Sequence, residues 1–257
     1  IEFEHDGRTR TALLTIPSSY GGSHMPLVLN FHGNTHTASR QRLLSEMDET
    51  AESKGFLVAY PEGMGISFNV GPCSGEAQVQ NVDDVGVAHA LIDEVAARLC
   101  VDRERVFATG ISNGAYLVHR LACEAPESFR AFSSVAGLLA QDLCEPTRTR
   151  PILHFHGTGD LVVPYLGNLF LDSAEKTMQD WASRNGCGAS QVTSYEVGDT
   201  TCRRYDSCPG NGAVELCTIE GGGHTWPGGA EFPGFGKTTQ DISANSWMWE
   251  FFSAAGP

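Results

Sequence analysis

The sequence contains no apolar run near the roughly 20 residues that a membrane-spanning helix needs, so no membrane partner is expected. Positive charge is scarce as well. Lys and Arg number 17 against 31 Asp and Glu, a formal net charge of −14 with a pI near 5.0. Such a chain repels phosphate backbones and has no basic surface from which to release counterions, so nucleic acid is excluded as a partner. No two cysteines form a C-x-x-C pair, which argues against a zinc ribbon or a thioredoxin-type redox site. Neither a G-x-x-x-x-G-K-[ST] phosphate loop nor a G-x-G-x-x-G after the first strand is present, and no cofactor is expected. Ile1 to Arg10 alternate polar and apolar residues, without the basic and apolar regions of a signal peptide, although one already removed would leave no trace.

What is present is ample core-forming material. With 257 residues, 41% of them hydrophobic and only 19% charged, the chain lacks the signature of disorder and suits one sizeable domain, residues 1–257. Two apolar runs, Leu27 to Gly33 and Pro151 to Gly157, stop at His-Gly as buried parallel strands do. Gly55 to Pro61, Arg105 to Gly110 and Ala131 to Gly137 read as further strands. Helical periodicity covers Ser39 to Lys54, Val82 to Leu99, Asn113 to Ala125, Ser173 to Asn185 and Ser243 to Ser253. Strands alternating with helices predict a mostly parallel sheet covered on both faces, and the alternation in Glu2 to Pro17 predicts an antiparallel N-terminal edge. Gly198 to Gly236 reads as loop-rich apart from Ala213 to Glu220. Eight cysteines, an even number, are expected to form up to four disulfides, which places the protein in a secreted or periplasmic setting.

Gly110-Ile111-Ser112-Asn113-Gly114 fits G-x-S-x-G between a predicted strand and a predicted helix, the setting of a nucleophile elbow. The bland alternative is a Gly-bracketed helix cap, a role Ser112 or Asn113 would also suit. A serine hydroxyl needs a base, and the base an orienting acid. In the α/β-hydrolase order these follow as acid, then His. Asp160, in His156-Gly-Thr-Gly-Asp160 beyond a strand end, is the expected acid; Asp142 and Asp172 compete but lack that context. Downstream of Asp160 the chain has a single histidine, His224, set in GGGHTWPGG. The expected oxyanion donors are the backbone N–H groups of Asn113 and Asn34. His32, Gly33 and Trp226 are the expected substrate contacts, with His32 also placed to hold its turn.

Other clusters invite simpler readings. His154 and His156 share a strand face, yet no third ligand follows at a suitable spacing, so no metal is expected. Asp83 and Asp84 stand where a helix begins and suit capping. Trp247, Trp249, Phe251 and Phe252 suit core packing on a terminal helix.

LVLNFHG, NVDDVGVAHALIDEV, RVFATGISNGAYLVHRLACEAPESFRAFSSVAG, PILHFHGTGDLVVPY and IEGGGHTWPG occur in one order from Leu27 to Gly228. In these blocks the chain resembles the polyhydroxybutyrate depolymerase-like and feruloyl esterases of carbohydrate esterase family one. The resemblance implies an α/β-hydrolase fold with Ser112 as nucleophile, Asp160 as acid, His224 as base, and oxyanion donors at Asn34 and Asn113. Asn34 is a departure, because many relatives carry Cys or a small residue there. The resemblance also implies disulfides, with Cys123–Cys144 and pairs within Cys187 to Cys217 the expected choices among open connectivities. The implied activity is a secreted serine esterase acting on feruloyl or related esters, either small molecules or esters linked to plant polysaccharide. Acetylated xylan and short 3-hydroxyalkanoate polyesters are alternatives, as is a hydrolase-fold protein that binds without cleaving.

Overall fold

A computed structural model describes residues 1–72, 74–140, 144–210 and 212–256; Cys73 and Asp142 lie outside the described residues. The strands are β1 (Glu2–His5), β2 (Arg8–Thr15), β3 (Met25–Phe31), β4 (Leu57–Pro61), β5 (Val101–Ile111), β6 (Ala131–Val135), β7 (Ile152–Gly157), β8 (Gln191–Val197), β9 (Thr200–Tyr205) and β10 (Val214–Ile219). The helices are α1 (Ala38–Ser45), α2 (Met47–Lys54), α3 (Gly75–Val79), α4 (Asp84–Arg98), α5 (Asn113–Glu124), α6 (Ala174–Arg184) and α7 (Ala244–Ala254).

One ten-stranded sheet runs β1-β2-β4-β3-β5-β6-β7-β10-β9-β8. Its centre, from β4 to β10, is parallel, and β3, β4, β6 and β7 are buried along their whole length. That burial on both faces is why these segments read as continuous apolar runs rather than alternating ones. One face packs on α4, α5 and α6 through Leu91, Val95, Leu117, Leu121 and Trp181. The other packs on α1, α2 and α7 through Leu44, Met47, Ala51, Met248 and Phe252. On α7, Phe251 and Phe252 are buried in the core as expected, with Phe252 stacked on Phe107 at 4.6 Å, whereas Trp247 and Trp249 are half-buried and pack at its margin, Trp249 on Phe56 at 4.3 Å. Each such buried ring contributes about 1.5–3 kcal/mol by leaving water.

Antiparallel pairs close both edges of the sheet, not the N-terminal one alone. The second edge, β8–β9, falls partly in the stretch expected to be loop. Its outermost strand is exposed or half-buried at every residue, so no apolar alternation marks it. Cys202 and Cys217 are directly opposed across β9 and β10 and form a disulfide, which pins that register. Two further disulfides join Cys123 to Cys144 and Cys187 to Cys208, while Cys100 has no disulfide partner among the described residues. Among the described residues no helix is long and apolar enough to cross a membrane.

The helix expected over Ser39 to Lys54 is two helices. Glu46, with φ 50°, is left-handed; it caps α1 through its N–H on the Arg42 carbonyl and starts α2. No Gly or Pro marks the break in the sequence, which is imposed by packing: Met47 turns inward and its sulfur meets the Asn30 amide at 3.5 Å. A left-handed backbone costs a side-chain-bearing residue about 1 kcal/mol. Glu46→Gly is therefore expected to raise stability by several tenths of a kcal/mol, up to about 1 kcal/mol, read as a higher urea midpoint; an unchanged or lower midpoint contradicts the strain assigned to this joint.

Candidate active site

The loops at the carboxyl ends of the parallel strands build the site. β5 ends at Ile111 and α5 begins at Asn113, leaving Ser112 at φ 54° and ψ −122°, a conformation that L-residues rarely adopt. The Ser112 N–H still donates to the Val135 carbonyl at 2.9 Å, so the sheet holds one side of the bend. The bend brings the start of α5 across the end of β3. A Cβ on Gly114 would lie 2.3 Å from the Phe31 carbonyl oxygen, and one on Gly110 would lie 2.7 Å from the same atom. Both glycines of the motif are thus demanded by contact, and the Ser112 side chain makes no capping hydrogen bond to α5.

Asp160 follows β7. Its Oδ1 accepts from the N–H groups of Val162 (2.8 Å) and Val163 (2.9 Å), leaving Oδ2 to accept from His224 Nδ1 at 2.7 Å. Asp160 is only 4% exposed and His224 7%. The two loops touch because Gly159 N–H donates to the Gly222 carbonyl, and a Cβ on Gly157 would collide with that same carbonyl at 2.2 Å. His224 is fixed from its other side by its own N–H, which donates to Phe235. Asp172, the competing acid, is an exposed residue one position before the α6 cap Ser173.

Ser112 and His224 face one cavity of about 230 Å³, shared with Gly33, Asn34, His36 and Phe235. A larger groove of about 540 Å³, between α6 and the β8–β10 edge, contains none of these residues. Gly33 approaches closely enough that a Cβ there would lie 3.3 Å from the Ser112 Cβ. Asn113 stands at the first residue of α5, where a helix leaves its N–H groups without internal partners. Its side chain clamps Phe68, accepting from the Phe68 N–H at 2.7 Å and donating to the Phe68 carbonyl at 3.0 Å. Asn34 is exposed at the mouth, its Oδ1 accepting from Thr35 N–H.

Two expected substrate contacts are elsewhere. His32 is fully buried; its Nδ1 donates to the Gly33 carbonyl (2.8 Å) and its Nε2 accepts from Gly63 N–H (2.9 Å). It holds the turn and does not border the cavity. Trp226 is 0% exposed in the core, with its indole N–H donating to Asn245 Oδ1 at 2.9 Å, because the glycine-rich loop folds inward there. Gly33 alone of the three borders the cavity. Asp83 caps α4 by accepting from Gly86 N–H, whereas Asp84 is buried against Arg10 at 3.2 Å and accepts from Asn69 N–H. His154 and His156 bond to each other, Nε2 to Nδ1 at 2.9 Å.

Sequence reasoning missed His36, Phe232 and Phe235. His36 is half-buried, its Nδ1 has no hydrogen-bond partner among the described residues, and burial followed by the Arg40 charge holds its pKa below the ordinary 6.5. Its ring meets Phe235 edge-on at 6.0 Å, and Arg40 sits 4.3 Å over the Phe232 ring. The available signal was Glu231-Phe-Pro-Gly-Phe-Gly236, two aromatics in a turn-rich stretch just after the only late histidine.

The fold is that of the α/β-hydrolases. Residues 11–145, just over half of the chain, match the family described as Esterase PHB depolymerase, and the chain belongs to that family. It is 33% identical over 235 residues to feruloyl esterase B of Piromyces equi, covering 84% of this chain and 42% of that protein. It is 25% identical over 233 residues to the bifunctional acetylxylan esterase/xylanase XynS20E of Neocallimastix patriciarum, covering 89% of this chain and 31% of that protein. The chain thus spans less than half the length of either relative. In structure it is similar to acetyl xylan esterase from Aspergillus awamori, with a TM-score of 0.70 at 17% identity over 94% of this chain and 93% of the other.

The strain at Ser112 predicts that Ser112→Gly is more stable than Ser112→Ala by about 1 kcal/mol, since only glycine adopts that backbone freely; equal urea midpoints for the two variants would remove the strain from the argument. Burial lowers His32 and His119 from 6.5 to about 4. The unfolded chain therefore takes up protons first, and stability falls as pH drops from about 6.5 to about 4, by about 3 kcal/mol for each of the two. Urea midpoints measured across that window are expected to fall steadily; a flat series contradicts neutral burial.

Proposed function

We propose that the protein is a serine carboxylic ester hydrolase in which Ser112, His224 and Asp160 form the catalytic triad. The observation that carries this reading is the shared cavity of Ser112 and His224, with the imidazole held by the buried Asp160 carboxylate at 2.7 Å. The Ser112 hydroxyl attacks the ester carbonyl and passes its proton to His224 Nε2, while Asp160 holds the Nδ1–H and stabilises the imidazolium. The N–H groups of Asn34 and Asn113 receive the developing oxyanion. The proton then goes from His224 to the departing alcohol, and water attacks the acyl-enzyme by the same route in reverse.

The acyl group we assign is hydroxycinnamoyl, as in feruloyl esters linked to plant polysaccharide. Phe232 and Phe235 wall the cavity, whose 230 Å³ far exceeds the need of an acetyl group. The similarity to feruloyl esterase B supports the same choice. The similarity to the acetylxylan esterase/xylanase supports the second reading, an acetylxylan esterase, and the family description keeps short 3-hydroxyalkanoate esters as a third. Three disulfides among the described residues support secretion, and the net charge of −14 argues against nucleic acid. The chain acts as one catalytic domain in this reading.

Ser112→Ala is expected to lower kcat by at least about 10³-fold with folding intact and to abolish labelling by a fluorophosphonate. Undiminished turnover removes Ser112 as nucleophile, whereas a native protein that neither turns over esters nor labels is a binding protein. On methyl ferulate, p-nitrophenyl acetate and a 3-hydroxybutyrate oligomer, kcat/KM is expected to favour ferulate by more than about tenfold, about 1.4 kcal/mol. Phe235→Ala should lower the ferulate value and spare acetate; preference for acetate or the oligomer transfers the protein to the second or third reading.

A further inference from the structure

Behind Asp160 lies a row of buried polar side chains that the reaction does not use. It runs from α6 through α5, β6 and β7 to the loop carrying the acid. Trp181 Nε1 lies 2.9 Å from His119 Nδ1, and His119 Nε2 lies 3.0 Å from Ser134 Oγ. Ser134 Oγ is 2.7 Å from His154 Nδ1, His154 Nε2 is 2.9 Å from His156 Nδ1, and His156 Nε2 is 2.8 Å from the Val163 carbonyl. All five side chains are at most 1% exposed. Burial lowers the pKa of each of the three histidines, so each carries one ring proton at neutral pH.

Both ends of the row then dictate where those protons are. An indole N–H only donates, so His119 Nδ1 accepts and its proton is on Nε2, directed at Ser134. A carbonyl only accepts, so the His156 proton is on Nε2 and its Nδ1 must accept. That requires His154 to donate from Nε2 and to accept at Nδ1 from the Ser134 hydroxyl. The two deductions meet at Ser134, whose oxygen accepts from His119 and whose single proton goes to His154. Every donor is thereby matched with an acceptor. His119 Nε2 also lies 3.3 Å from the Gly137 carbonyl, which lets that proton be shared without changing the assignment.

We propose that this row is a one-way hydrogen-bond chain that positions the catalytic acid, with Ser134, His154 and His156 as positioning residues. It ends on the Val163 carbonyl, and Val163 N–H donates to Asp160 Oδ1. The chain therefore ties the Asp160–Val163 turn to the sheet from behind and fixes the carboxylate rotamer that leaves Oδ2 for His224. His156 Nε2 is itself 3.6 Å from that Oδ2, so an imidazole released from Val163 would compete with His224 for the carboxylate. The inference rests on Asp160 being the triad acid.

The test joins nitrogen NMR of histidine-labelled protein to kinetics on methyl ferulate. At neutral pH His119, His154 and His156 are all expected to be Nε2–H tautomers. One Nδ1–H tautomer or one imidazolium among them overturns the chain. Ser134→Ala, which removes the central link with almost no change of volume, is expected to lower kcat on the order of tenfold at unchanged KM. The low-field Nδ1 proton resonance of His224 should shift as well. A folded Ser134→Ala protein with unchanged kcat and an unshifted resonance overturns the positioning role. Should Ser134→Ala not fold, Trp181→Phe frees the His119 tautomer while keeping a ring in place, and the same two readouts decide. An active Ser112→Ala protein would instead reject the triad and leave the tautomers standing.

Discussion

The passage of α5 across the end of β3 is the constraint on which the rest of the molecule depends. The helix starts one residue after β5 ends, so the chain reverses through Ser112 alone, at φ 54°. The contact of Gly110 and Gly114 with the Phe31 carbonyl brings β3, β5 and α5 into a single rigid corner. Strain of this kind persists only where surrounding structure over-determines it. Here the Ser112 N–H is held by β6, the Asn113 side chain by Phe68, and the first turn of α5 by the sheet. Ser112 is consequently presented by buried elements while itself bordering a cavity.

The remaining parts of the site reach that corner by close backbone contact between loops. The acid turn after β7 and the histidine loop after β10 are neighbours because those two strands are paired in parallel. Their glycines let the two backbones pass at distances that no side chain would allow. The Asp160 carboxylate is held by two N–H groups of its own turn and by the His224 imidazole in front, while the row of buried histidines behind ends on the Val163 carbonyl of the same turn. Polar groups so deep are costly unless every donor finds an acceptor, and the row from Trp181 to Val163 meets that condition. The cavity wall, by contrast, is made from the mouth loops that carry His36, Phe232 and Phe235, where chain composition is free to vary without disturbing the corner.

Much of this was legible before any coordinates. The parallel strands showed as apolar runs stopped by His-Gly, since burial on both faces leaves no alternation. Ser112 stood out because a strained turn needs glycine on both sides, and His224 because no other histidine follows Asp160. The break at Glu46 and the outer strands β8 and β9 were hidden for the opposite reason: neither carries a breaker residue or an apolar alternation of its own. Trp226 misled, because a tryptophan in a glycine-rich loop looks the same in sequence whether the loop folds outward to a ligand or inward to Asn245.

By itself, then, the sequence determined the order of the central strands and of the helices between them, the residue types that acyl transfer requires, and the succession Ser112, Asp160, His224. These are local properties, set by periodicity, by glycine spacing and by which side chains can give or take a proton. Only the tertiary structure decided which cysteines pair, that His32 and Trp226 belong to the interior, and that His36, Phe232 and Phe235 line the cavity. Only it aligned Trp181, His119, Ser134, His154 and His156 into one row. Those features depend on distances between residues far apart in the chain, and such distances are set by how the sheet twists and the loops pack rather than by any pattern that neighbouring residues carry.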